Sequence, residues 1–140
     1  MKKYSTSIQI SADRERVWSV LVDGLGSNPS AFGIERFEGD LTPNSRIKLW
    51  SEVDQNRAFS LKVWEFNAPE KMVWKGGMPF GLFTGTRTFE LSSSNGSTTF
   101  DMAEVFGGPL SGLIVKSIPD LNPSFEKFAQ ALKEKAENDE

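Results

Sequence analysis

Two ionisable residues stand where apolar side chains are expected. The stretch "GTRTFELSSSNGSTTFDMAEVF", residues 85–106, alternates on both sides of Asn95-Gly96, the strongest short-range sign of a two-residue hairpin. With Ser94 facing Ser97, the side-chain period of two sets every later pair: Leu91 with Phe100, Phe89 with Met102, Arg87 with Glu104. The lone base on one oily stripe then meets the lone acid on the other. Such a pair suits two tasks. It can pin strand register as a structural ion pair, or it can anchor a ligand carbonyl, hydroxyl or carboxylate inside an apolar pocket.

Other chemistry is thin. The chain has no histidine and no cysteine, which removes disulfides, thiol nucleophiles, zinc-finger sites and imidazole triads. An arginine beside Glu104 favours its carboxylate form and leaves it a general base rather than an acid. Glu65, Tyr4 and the threonines complete the candidates. Glu65 has the inward parity of Leu61 and Val63, near a strand end, and Tyr4 reads as a core-edge residue. No combination specifies a reaction, so no catalytic residue, metal ligand or cofactor is assigned. The glycines at 24–26, 76–77 and 107–108 lack the spacing of a phosphate-binding loop.

The elements that must hold Arg87 and Glu104 follow from periodicity. "YSTSIQI" alternates as a first strand, with Tyr4, Thr6, Ile8 and Ile10 on one face. "SADRERVWSVLVD" reads as a helix with Ser11 as N-cap and a Val17, Val20, Leu21 stripe. "GLGSNPSAFG" reads as a loop or short broken helix. Strands are expected at about 34–39, 45–53, 57–67 and 71–76, then the hairpin 83–93 and 97–106, with turns at Asp54-Gln55-Asn56 and Asn67-Ala68-Pro69-Glu70. Pro119 should kink or break the apolar stretch beyond Gly107-Gly108-Pro109. In the last segment Phe125, Phe128, Ala129 and Leu132 recur at helical spacing.

Strand, helix, six strands and a long helix make an α+β fold, an antiparallel sheet with helices on one face. Ile47, Leu49, Leu61, Val63, Met72, Trp74, Phe89 and Met102 should form the concave face. Lys48, Trp50, Lys62, Trp64, Lys71, Lys75 and Glu90 should form the outer one. The register opposes Glu90 to Asp101, a like-charge clash that Lys71 or Lys75 can offset.

The chain of 140 residues is read as a single domain, 1–140, with a net charge of −3 that argues against a nucleic-acid partner. "MKKYSTS" has no apolar stretch after its lysines, and no run approaches the roughly 20 apolar residues of a membrane helix. A soluble, cytoplasmic protein is expected.

These segments resemble the START-like, helix-grip superfamily (SRPBCC), in particular its bacterial polyketide-cyclase-like members. "ISADRERVWSVLVD", "TPNSRIKLW", "LKVWEFNAPEKMVWKGG", "FTGTRTFEL", "STTFDMAEVFGGPLSGLI" and "PDLNPSFEKFAQALKEKAE" carry the resemblance end to end. Two positions depart from the usual pattern: Phe32 stands where many members have tryptophan, and Asn44 where many have glycine. Asparagine also tolerates a left-handed backbone. The resemblance implies a helix-grip fold: a seven-stranded curved antiparallel sheet around a long C-terminal helix, with short N-terminal helices and an enclosed hydrophobic cavity.

The leading expectation is therefore a protein that binds or carries a small hydrophobic molecule (lipid, sterol or polyketide-like). Its binding residues are taken as Arg87, Glu104, Trp74, Phe89, Met102, Phe106, Phe80, Leu113 and Phe125. "GGMPFGLFTG" reads as an apolar loop that packs on "PLSGLIVKSI" or gates the cavity, with Gly81 and Gly85 as hinges. The alternatives are a cyclase or dehydratase with Glu104 as base and Arg87 holding an oxyanion, and a co-chaperone-like module. In the last case Trp50 and Trp64 would offer a partner or homodimer surface.

Overall fold

The structure is a computed structural model that describes residues 2–51, 54–118 and 120–138. Seven strands form one antiparallel sheet in the order β1-β7-β6-β5-β4-β3-β2. They are β1 (Lys2–Ile10), β2 (Ile34–Glu38), β3 (Arg46–Ser51), β4 (Asp54–Asn67), β5 (Lys71–Gly77), β6 (Thr84–Ser94) and β7 (Ser97–Gly107). Three α-helices accompany them: α1 (Arg14–Ser27), the single turn α2 (Ser111–Ile114) and α3 (Asn122–Glu137). The expected α+β architecture is the observed one.

The β6–β7 register is the expected one at every position. Ser94 pairs with Ser97, Phe89 with Met102 and Arg87 with Glu104. The turn is possible because Asn95 and Gly96 both take positive φ, 52° and 82°. Glu90 does oppose Asp101, and Lys71 of β5 sits directly opposite Glu90 on its other side. Asn44 has φ 66°, the left-handed conformation its side chain tolerates.

The concave stripe is buried as its alternation requires: Ile47, Leu49, Val63, Met72, Trp74, Phe89 and Met102 belong to the core, with Leu61 partly buried beside them. Against them lies α3, through Phe125, Phe128, Ala129, Leu132 and Ala136. Helix α1 contributes Val17, Trp18, Leu21 and Leu25, and Trp18 meets Phe66 edge to face at 5.3 Å.

Several local expectations are corrected. The N-cap of α1 is Asp13, whose carboxylate accepts the Arg16 N–H at 2.9 Å, while Ser11 donates its own N–H to Glu137 at 2.8 Å. Helix α1 runs on through Gly24 and Gly26 to Ser27, and only Pro29–Phe32 forms the short broken turn. Gly24 is tolerated inside the helix because any Cβ there would lie 2.6 Å from the Phe32 ring. Asp54-Gln55-Asn56 is not a turn. Strand β4 already begins at Asp54, paired with Ser51, and residues 52 and 53 lie outside the described residues. Pro119 lies outside them too. Glu65 loses its inward parity because a bulge between Val63 and Glu65 sets it opposite Val73, on the face away from α3.

Glu137 ties the end of α3 to the start of the chain. Its Oε2 accepts from Ser11 N at 2.8 Å and from Lys133 Nζ at 2.7 Å, and Lys133 also donates to the Gln9 carbonyl. These hydrogen bonds, the Lys133 one first, lower the Glu137 pKa below its ordinary value. A lowered native pKa stabilises the fold above the ordinary carboxylate range, and this is lost as pH falls through the native pKa. Glu137→Gln should therefore lower the urea midpoint at pH 7 and leave a shrinking difference from wild type as the pH falls below 4. Urea titrations of both proteins across that range would check it.

Candidate functional site

The concave face is best read as cross-strand rows. One row, Tyr4–Glu104–Arg87–Trp74–Val63, carries the ionisable pair. The row nearer the Gly107 end runs Phe106–Gly85–Gly76–Leu61, with two adjacent glycines at its centre. The row on the other side runs Met102–Phe89–Met72. Glycine removes side chains where the sheet would otherwise fill its own concavity.

A cavity of about 550 Å³ opens there, between these strands and the N-terminal half of α3. Leu49, Leu61, Met102 and Phe106 line it from the sheet, Phe125 and Phe128 from α3, and Ile114, Ile118 and Leu121 from the connection between β7 and α3. Phe32 closes one side. Gly76 and Gly85 leave bare backbone in the wall. The polar groups among the lining side chains are Arg87, Glu104, Ser60, Ser117 and Ser124. Its volume falls within the range of small-molecule sites.

Arg87 and Glu104 meet inside this space. Arg87 donates from Nε to Glu104 Oε1 at 2.7 Å, with the side chains only 19% and 9% exposed. They are more enclosed than a half-solvated mouth position would be. The guanidinium lies 5.0 Å from the centre of the Phe125 ring, a cation–π contact that holds its plane. Glu104 Oε2 lies close enough to Gly85 that a Cβ there would approach it to 3.2 Å. Among the described residues the guanidinium makes one hydrogen bond, through Nε, and its Nη groups make none. A guanidinium carries five N–H donors, so four remain for something else in the cavity.

Of the nine residues expected to bind, five line the cavity: Arg87, Glu104, Met102, Phe106 and Phe125. Trp74 and Phe89 do not. Both are fully buried, with ring centres 4.6 Å apart, and they fill the core behind the wall. The Trp74 indole N–H has no hydrogen-bond partner among the described residues. Phe80 and Leu113 point outward, 98% and 71% exposed. The gate loop is held by Phe83, which stacks on Phe106 at 5.5 Å, and by a Leu110 N–H to Leu82 carbonyl bond of 2.9 Å. Gly85 is no hinge. It sits in a regular pair with Gly76, and Gly77, with φ 139°, marks the loop's first bend.

Among the lining residues that periodicity missed are Phe32, Ala58, Phe59, Ser60, Leu121 and Ser124, which lie in short helical turns, in α3 or outside the strand rows considered. Only Gly76-Gly77, a glycine pair beside a strand, carried a readable signal. Glu65 and Tyr4 add no chemistry here. Glu65 accepts from Asn67 Nδ2 at 2.9 Å, and Tyr4 is buried edge-on against Phe106 and Phe125.

No protein-family model matches the sequence, and no curated protein matches it. Solved structures do. Norcoclaurine synthase from Thalictrum flavum superposes with a TM-score of 0.72 at 14% identity, covering 99% of this chain and 95% of that one. Aha1 from Colwellia psychrerythraea, solved as a dimer in solution, gives 0.71 at 18% identity, covering 98% and 97%. The hypothetical protein jhp0584 from Helicobacter pylori gives 0.75 at 13%, covering 96% and 88%.

The chain has the helix-grip fold. Norcoclaurine synthase and Aha1 are helix-grip proteins of the SRPBCC, Bet v1-like superfamily. At these identities the likeness concerns the fold alone, and one fold hosts many functions. In this helix-grip chain Ser124, Phe125 and Phe128 of α3 line the cavity, and Ala129, Leu132 and Ala136 further along the helix are buried in the core.

The Arg87–Glu104 pair is enclosed enough for its two halves to depend on each other. Arg87→Met should destabilise the protein by roughly 2–4 kcal/mol, because it leaves an uncompensated carboxylate in the wall. Arg87→Met combined with Glu104→Leu should cost less than that single change. Urea denaturation of the two variants checks the order. A double variant weaker than Arg87→Met would contradict it.

Proposed function

We propose that the protein binds or carries a small hydrophobic molecule bearing one polar group, of lipid, sterol or polyketide-like character. The observation that supports this is the cavity of about 550 Å³ whose apolar wall is interrupted by Arg87 and Glu104, with the Arg87 Nη groups free of protein partners among the described residues. The ligand's apolar body lies against Met102, Phe106, Phe125 and Leu121, and its carbonyl, hydroxyl or carboxylate takes the open guanidinium donors. Met102 adapts to ligands of varied shape.

A cyclase-like reaction would call on the same two residues, Glu104 as base and Arg87 for an oxyanion. A partner-binding role would fall to Trp64, which is 56% exposed between Lys62 and Lys75, rather than to the half-buried Trp50 under Arg36. Neither has a feature as specific as the lined cavity.

Native mass spectrometry during titration with fatty acids, sterols and aromatic polyketides should detect a one-to-one complex. Replacing Arg87 with Gln should weaken a ligand with a polar head by about ten- to a hundredfold, the loss of a charge-assisted hydrogen bond of roughly 1.5–3 kcal/mol. Affinity for a purely apolar probe should change little. Absence of any complex, or equal losses for both ligand types, would sink the reading.

A further inference from the structure

We propose that the rim of the cavity, formed by residues 77–83 and 110–114, docks onto the surface of an anionic lipid bilayer. Four of the six large apolar side chains exposed among the described residues stand on these two short segments: Met78 (43%), Phe80 (98%), Leu82 (38%) and Leu113 (71%). Soluble proteins seldom gather exposed apolar groups so closely without an interaction to make.

The side chains protrude from a braced base. Met78 N–H donates to the Phe83 carbonyl at 2.8 Å, and Leu110 N–H to the Leu82 carbonyl at 2.9 Å, so the two segments are bonded into one surface. Phe80 has φ 62°, a strained conformation for a bulky residue, and it turns the phenyl ring out into solvent. Burial within the monomer does not repay that strain. Separate projecting rings and aliphatic tips fit a deformable apolar phase. A rigid protein face would need a hollow matched to each of them.

Charge points the same way. Residues 76–84 and 105–115 contain no charged side chain. On the flanking segments stand exposed lysines: Lys116 two residues beyond the second segment, Lys75 two residues before Gly77, and Lys2 and Lys3 paired with Phe106 and Val105. None of the four makes an ion pair among the described residues, while Lys75 lies 4.3 Å from the Trp64 ring centre on the outer sheet face and Lys2 5.3 Å from that of Tyr4. Asp120, the acid next in the chain, accepts the Asn122 N–H. An uncharged apolar tip with lysines on the flanking segments is a pattern that combines insertion at the headgroup level with attraction to anionic lipid. Lysine stems are long enough to reach the plane of the strand ends.

Co-sedimentation with vesicles tests this on the full chain without added ligand. Vesicles of phosphatidylcholine with roughly one-third phosphatidylglycerol should pellet the protein, and pure phosphatidylcholine much less. Phe80→Ser with Leu113→Ser should lower the partition coefficient at least about tenfold while near-UV circular dichroism stays native. Lys75→Glu with Lys116→Glu should weaken binding to the anionic vesicles alone, and added salt should mimic it. No pelleting of the wild type, or unchanged partitioning of the serine variant, overturns the proposal. So does a concentration-dependent dimer that the serine variant abolishes in the absence of vesicle binding, which would make a second copy the occupant. Because no ligand is present, failure here leaves the cavity reading standing, and failure of the ligand titration leaves this one standing.

Discussion

The two-residue turn at Asn95-Gly96 is the constraint on which the rest depends. Both residues occupy positive φ, which few residue pairs accept, and the turn allows one register between β6 and β7. A slip of one residue would move Arg87 or Glu104 to the outer face and set an apolar side chain in water. Because β7 also pairs with β1 and β6 with β5, the turn orders the rows of four strands. The meeting of guanidinium and carboxylate, the glycine pair beside them and the aromatic floor behind are all consequences of it.

The ion pair itself is a poor stabiliser. Desolvating both groups can consume what their attraction supplies, and an apolar pair of similar volume often does as well. Its position is more informative than its energy. Full burial would call for a partner at every N–H, whereas among the described residues Arg87 bonds through Nε alone and leans on Phe125. A site with unspent donors facing an enclosed space is matched to a guest with an acceptor to offer.

Much of this was legible in the sequence, and the exceptions have separate physical causes. Alternation gives the face of a residue and not its depth, so Trp74 and Phe89 share the stripe of Arg87 and Met102 yet lie behind the wall. Loops and single helical turns have no period at all. The direction of Phe80 is set by a positive φ, and α2 is a single turn, too short to show a period that separates the inward Ile114 from the outward Leu113. A bulge adds one residue without a marker of composition, which is how Glu65 changed faces. Ser11 and Asp13 are both good caps, and only the tertiary bond from Ser11 to Glu137 separates them. Gly24 reads as a turn residue, but packing by Phe32 is what requires it.

Side-chain size changes along the buried face of α3. Toward the C-terminus Ala129 and Ala136 are small, with Leu132 between them. Toward the N-terminus Phe125 and Phe128 are large, both line the cavity, and Phe128 stacks on Phe100 at 6.0 Å. The cavity reaches Gly76 and Gly85, where the sheet has no side chains to fill it. Large residues on the helix and the smallest ones on the sheet thus work to the same end. A sequence selected only for stability would tend to reverse that arrangement, with bulk on the strands and alanine along the helix, because close packing of the interior is what stabilises it. The space is retained against that tendency, at the one place where a charged pair faces it.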